Sequence, residues 1–197
     1  MPADLLLALT LYAFVSSITP GPNNLMLLAS GVNFGFRRTL PHMLGIAGGF
    51  TLMTAIVGLG LAGIFTAWPP ARLILGVLSV GYLLWLAWKI AHAAAPDTAE
   101  STGKPLTALQ AAAFQWVNPK AWSMALTATT LYAPGADLRA VGIVALVFGA
   151  VNLPSVSVWA AMGVGLRGWL RDGRKRRLFN YGMAALLVAT LYPVLAG

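Results

Sequence analysis

The chain contains no cysteine. That alone excludes disulfides, thiolate metal sites and thiol nucleophiles. Charge is also scarce: 9% of the 197 residues are Asp, Glu, Lys or Arg, where a soluble domain carries about a quarter. The acidic residues are Asp4, Asp97, Glu100, Asp137 and Asp172, and none of them falls inside a long apolar stretch. No paired carboxylates, no Ser/His/Asp arrangement and no phosphate-binding loop can be assembled, so neither an enzyme nor a cofactor is expected. His42 and His92, with no cysteine or membrane carboxylate beside them, make a poor transition-metal site.

What is abundant is hydrocarbon. The sequence is 58% hydrophobic with a mean hydropathy of +0.77, the composition of a membrane protein. Apolar segments run its whole length, which predicts one transmembrane domain over residues 1–197. Residues 1–10 lack a basic leader, and the apolar run continues past any cleavage point, so they read as the start of a first span. The formal net charge of +8 would suggest nucleic acid in a soluble protein. In a membrane protein, basic residues instead collect in cytoplasmic loops and report orientation. No nucleic-acid partner is expected.

Hydropathy predicts six spans, at about 5–30, 40–65, 73–93, 107–132, 138–166 and 179–196. Breakers separate them: 31–38 with Pro41 just beyond, Trp68-Pro69-Pro70, the polar stretch 94–105, Pro134-Gly135-Ala136-Asp137 and 167–177. The first, third and fifth connections hold Arg37, Arg38, Lys89, Lys104, Arg167, Arg171 and the run Arg174-Lys175-Arg176-Arg177, while the second and fourth hold only Arg72 and Arg139. The positive-inside rule then puts the odd connections in the cytoplasm and both termini outside. The run 174–177 would lie against anionic headgroups as a topology anchor.

Each half opens with a span broken near its middle, at Thr19-Pro20-Gly21-Pro22-Asn23-Asn24 and at Asn118-Pro119-Lys120. Three spans beginning outside and three beginning inside predict an all-α fold of two inverted-topology repeats, about 1–94 and 107–197. In transporters of that design, discontinuous helices from the two halves meet near the midplane. Pro20 and Pro22 cannot donate to the carbonyls of Ser16 and Ile18. Irregular backbone at membrane depth is tolerated only against protein or a wet cavity. A half-helix starting after Pro22 offers N–H groups and a positive dipole end to a carboxylate. The half-helix ending near Ser16-Ser17-Ile18 offers carbonyls to an ammonium, and Asn23 and Asn24 add amide groups. The alternative is a proline kink sealed by neighbouring helices.

Lys120 is the one charge well inside a span and too deep to snorkel. A lysine there costs about 2.5–3.5 kcal/mol on insertion scales, and such residues are functional by default. Its partner is backbone carbonyl, Asn, water or a bound anion; the structural alternative is a lysine held by carbonyls that Pro119 frees, that of Gln115 among them. In Asn152-Leu153-Pro154-Ser155-Val156-Ser157 the polar side chains suit either site lining or interhelical glue. Gly45 and Gly49 have the spacing for close helix approach, within one chain or between chains of a homo-oligomer. Trp85, Trp88, Trp116, Trp122 and Trp159 read as packing or interface residues. His42 and His92 read as surface residues near cytoplasmic ends.

Together, Thr19-Pro20-Gly21-Pro22-Asn23, the stretch 31–38, Gly45-Ile46-Ala47-Gly48-Gly49 and Phe114-Gln115-Trp116-Val117-Asn118-Pro119-Lys120 resemble the LysE/RhtB (lysine exporter, homoserine/threonine efflux) family, and the likeness covers essentially the whole chain. The resemblance implies a bacterial inner-membrane exporter of amino acids or close derivatives, an antiporter driven by the proton gradient. Many members carry an Asp directly after the Gly-rich segment of the second span. Phe50 stands there in this sequence, which removes a proton-carrying carboxylate and a counter-ion for Lys120.

The expectation is therefore secondary efflux of a small neutral amino acid or related zwitterion by alternating access. Pro20, Gly21, Pro22, Asn23, Asn24, Asn118, Pro119, Lys120, Asn152 and Ser155 form its candidate site, with Lys120 as the fixed charge or the proton-responsive group. A passive channel would need a continuous polar lining, whereas this sequence has polar clusters at mid-span. A non-transporting assembly protein would use those clusters only to fold.

Overall fold

The computed structural model describes residues 1–92 and 104–192. Its helices are, in chain order, α1 (Ala3–Ile18), α2 (Pro22–Phe34), α3 (Phe36–Gly58), the single turn α4 (Ile64–Ala67), α5 (Pro70–Ala91), α6 (Ala108–Phe114), α7 (Pro119–Tyr132), α8 (Leu138–Leu166) and α9 (Gly173–Ala189). No strand occurs among the described residues. Three helices, α3, α5 and α8, are each long and apolar enough to cross a membrane, and α1 with α2, bent by 54°, counts as a fourth when taken as one broken span. The helical membrane class is thus as expected. The fourth expected span is two short helices, α6 and α7, joined through the 3-10 turn Gln115–Val117.

Several boundaries move. Residues 31–34, expected in a connection, continue α2, and only Gly35 separates α2 from α3. Its φ of 78° lies in the region that glycine adopts without Cβ strain. Arg174 to Arg177, expected in the fifth connection, form the first turn of α9. Four cations at a helix N-terminus oppose its dipole, and Asp172 offsets them as N-cap. Its carboxylate accepts the N–H groups of Arg174 at 2.7 Å and Lys175 at 3.2 Å, and these bonds hold its pKa below the ordinary carboxylate range. The polar stretch expected to divide the halves falls, at 94–103, outside the described residues, as does the end of the sixth span at 193–196.

The Asp172 cap has a testable pH signature. A group whose folded-state pKa is depressed contributes stability that is complete above its unfolded value and is lost as pH falls through the folded value. Asp172→Ala is therefore expected to lower the melting temperature slightly at neutral pH, and to make no difference below the folded-state pKa. A thermal melt series of both proteins from neutral pH to about pH 2, spanning the ordinary Asp value of about 3.9, checks this.

Packing follows the small residues. Both arms of the broken first span, α1 and α2, lie on α8; α6 and α7 lie on α3; α3 and α8 lie on each other; and α5 pairs with α9. A Cβ on Gly31 would strike the Ala160 backbone, and one on Gly163 would strike the Leu28 carbonyl and Val32 nitrogen. Gly45 and Gly49 approach Ala108 and Ala112 too closely to admit a Cβ, so the glycine pair in α3 is spent within the chain, on α6. The outward faces keep large apolar side chains, such as Leu73 at 72% and Leu146 at 70% exposure, as a helix bundle in lipid does. His42 departs from its expected surface position. It lies one turn before Gly45 in α3 and is buried with neither ring nitrogen partnered.

Candidate functional site

The first break begins where α1 runs out. Pro20 and Pro22 cannot donate to the last turn of α1, so carbonyls there need partners from elsewhere. Each of the last ones has one. The Ser16 carbonyl takes the Thr19 hydroxyl at 3.0 Å. Asn24 Nδ2 reaches back to the carbonyls of Ser17 at 2.8 Å and Thr19 at 2.7 Å. Trp159 Nε1, from α8, donates to the Ile18 carbonyl at 3.0 Å. Asn24 is thus a cap for α1, and Trp159 is a sealing donor that its expected packing role did not suggest.

The second break has its own internal logic. Asn118 is the N-cap of α7, its Oδ1 accepting the Lys120 N–H at 3.1 Å, and Pro119 occupies the first helical position, where its missing N–H costs nothing. This geometry throws the Lys120 side chain across to the first break. Lys120 Nζ donates to the Thr19 carbonyl at 2.7 Å, the Thr19 hydroxyl at 2.9 Å and the Pro20 carbonyl at 3.3 Å. The carbonyl end of α1, expected to suit an ammonium, holds this chain's own ammonium. The carbonyls come from the opposite break rather than from the turn before Pro119. Gly21 makes room for it: a Cβ there would lie 2.6 Å from Lys120 Cδ. The φ of Gly21 is −176°, extended backbone open to any residue, so the requirement is for space alone.

A second link joins the breaks one turn away. The Asn23 and Gln115 side-chain amides bond reciprocally, Asn23 Nδ2 to Gln115 Oε1 at 2.9 Å and Gln115 Nε2 to Asn23 Oδ1 at 3.2 Å. Gln115 is fully buried and also donates to the Ala111 carbonyl at 2.9 Å. It was not among the expected site residues, although its position next to the second break was a usable signal. On α8, Asn152 Nδ2 donates to Ser17 Oγ at 3.2 Å, while Asn152 Oδ1 is buried without a hydrogen-bond partner.

These groups surround one narrow cleft whose free volume is about 20 Å³, room for a water molecule. Of the expected residues, Gly21, Asn23, Asn24, Asn118, Lys120 and Asn152 line it. Pro20, Pro22 and Pro119 shape the breaks without lining it. Ser155 does not line it either, because its hydroxyl turns onto the Val151 carbonyl of its own helix at 2.8 Å. Ser16, Ser17, Gln115 and the apolar Phe50, Ala121, Met124 and Val156 complete the wall. An ammonium, four side-chain amides apart from the Asn24 cap, and helix-end carbonyls in one cleft can bind a group with both an anionic and a cationic end.

Apolar helices around a narrow polar cleft, built where two broken helices meet, define a multi-pass membrane protein with polar groups gathered in its interior. The sequence model of the LysE type translocator family matches residues 14–190, and the chain belongs to that family. It is 30% identical over 191 residues, 95% of each chain, to a cysteine/O-acetylserine efflux protein of Klebsiella pneumoniae. Proteins of the same description from Escherichia coli O1:K1 and Salmonella choleraesuis are 32% and 33% identical over 133 residues, 67% of each chain. No solved structure matches the chain.

Proposed function

We propose that this protein exports a small neutral amino acid or closely related zwitterion across the bacterial inner membrane, by alternating access coupled to the proton gradient. The observation that carries the reading is the clasp between the breaks, Lys120 Nζ on the Thr19 and Pro20 carbonyls at the edge of an amide-lined cleft. A substrate carboxylate forms a charge-assisted hydrogen bond stronger than a neutral carbonyl can. It therefore draws Lys120 off α1 and unfastens one break from the other. The buried Asn152 Oδ1 accepts from the substrate ammonium, and the Asn23–Gln115 pair opens to complete the shell. When the substrate leaves, the carbonyls recapture Lys120. In this cycle Lys120 is also the proton-responsive group.

The whole chain acts as one transmembrane unit of six spans, in two inverted three-helix repeats at about 1–94 and 107–197, with both termini outside the cytoplasm. The contact pattern supports this arrangement. A two-fold axis exchanging the halves would carry the first span's contact with α8 onto the fourth span's contact with α3, and would keep α5 beside α9. The relatives' names support the substrate class, since cysteine and O-acetylserine are zwitterions with short side chains.

The test is efflux of labelled O-acetylserine and neutral amino acids from substrate-loaded proteoliposomes. Asn23→Ala, which removes half of the amide pair, is expected to slow efflux by about tenfold, the worth of roughly one buried hydrogen bond. Collapsing the proton gradient with an ionophore is expected to stop net uphill efflux. Flux indifferent to both would identify a passive pore instead.

A further inference from the structure

The cleft is chemically divided. Its polar groups come from the two breaks, the end of α1 and Asn152 of α8, while Phe50, Met124 and Val156 line it from α3, α7 and α8. Phe50 is the stiffest of these. Its ring stands edge-on to Phe148 at 5.3 Å and 76°. Phe148 stands edge-on to Tyr12 at 5.9 Å, and Tyr12 meets Tyr132 at 6.1 Å. Edge-to-face pairs of this kind hold their geometry. The backbone on both sides of Phe50 is pinned as well. Gly49 rests on Ala112 of α6, and Thr51 fills the space over Gly149 of α8. Met124, by contrast, is an adaptable thioether. Phe50 therefore sets the depth and shape of the apolar part of the cleft.

We propose that Phe50 is the specificity-determining residue of this site: its ring, with Met124 and Val156, forms the subsite for the side chain of an amino acid whose carboxylate sits at Lys120. The inference rests on the function proposed above and narrows it to short, uncharged, apolar or sulfur-bearing side chains. Sulfur packs favourably against an aromatic edge. A cationic side chain is rejected for two reasons. The lining residues include no Asp or Glu, and their one charge, Lys120, is positive. A second ammonium would thus be desolvated with no counter-ion. Selectivity by such a wall is graded, since one methylene in an apolar pocket discriminates about 10–200-fold.

Ligand-induced thermal shifts of the full chain in detergent test this with L-alanine, L-cysteine, L-methionine and L-lysine as probes. The wild-type protein is expected to bind cysteine best and lysine at least tenfold more weakly. Phe50→Ala opens space, and is expected to move the methionine-to-alanine affinity ratio at least tenfold toward methionine. Phe50→Leu is expected to keep the wild-type order. An unchanged ratio in Phe50→Ala, or tight lysine binding by the wild type, overturns the proposal. If Phe50→Ala does not fold, Val156→Ala enlarges the same subsite from α8 and must shift the ratio in the same direction. Efflux from proteoliposomes separates this inference from the exporter reading. Discriminating binding without efflux overturns the exporter and leaves the subsite standing, whereas efflux with an unmoved ratio does the reverse.

Discussion

Lys120→Ala is expected to reduce efflux roughly a hundredfold while changing stability little. The rate loss is the order seen when one partner of a desolvated charge-assisted contact is truncated. Two opposing terms set the stability change. Removing the ammonium leaves the Pro20 carbonyl without its donor, a cost below the roughly 1–3 kcal/mol of a buried group because Pro20 is exposed, while the Thr19 carbonyl keeps Asn24 at 2.7 Å. Against this, taking a lysine out of the membrane interior returns about 2.5–3.5 kcal/mol. The two terms are opposite in sign, so no large loss of stability is expected. Paired measurement of efflux and melting temperature decides the matter. A large drop in melting temperature with normal efflux from the folded fraction would make Lys120 a structural clamp only. Gly21→Ala sharpens the test, because it preserves every charge and donor. Its Cβ would sit 2.6 Å from Lys120 Cδ and displace the side chain from the clasp, so efflux should fall in this variant too.

Gly163→Val is expected to destabilise the protein by about 3 kcal/mol, at the upper end of overpacking costs. The reason is that both obstructing groups are backbone. A side chain at 163 meets the Leu28 carbonyl and the Val32 nitrogen, neither of which can rotate away, so α2 and α8 must separate along their contact. The control is two residues away. Nothing lies within 4 Å of a Cβ on Gly165, and Gly165→Ala is expected to be neutral or to stabilise by up to about 1 kcal/mol through helix propensity. Denaturant unfolding of the three proteins in one detergent measures the difference. Equal stability of Gly163→Val and Gly165→Ala would mean that α2 and α8 do not touch as described.

The breaks are legible in the chain alone because proline acts locally. Pro20, Pro22 and Pro119 each delete a donor wherever they stand, so carbonyls must be freed near residues 16–18 and a helix can begin at Pro119. What receives those carbonyls is a different kind of fact. Trp159 lies 141 positions from the Ile18 carbonyl it seals, and Gln115 lies 92 positions from its partner Asn23. No local rule links them. Asn152 and Ser155 make the same point within one helix. Both are polar and three positions apart on α8, yet one faces Ser17 and the cleft while the other bonds to its own helix. His42 reads as a surface residue because it is an isolated histidine near a cytoplasmic end, and its burial is set by packing that no local rule shows.

The sequence by itself determined the solvent this protein lives in, the places where its helices must break, and the presence of one ammonium that hydrocarbon cannot tolerate alone. These follow from composition and from covalent geometry, which need no partner. Only the tertiary structure decided that Lys120 reaches Thr19 and Pro20, that Gly45 and Gly49 are consumed against α6, and that Phe50 faces the cleft. Each of those depends on which faces of two distant helices are brought together, and that is set by close packing of small residues rather than by the order of residues along the chain.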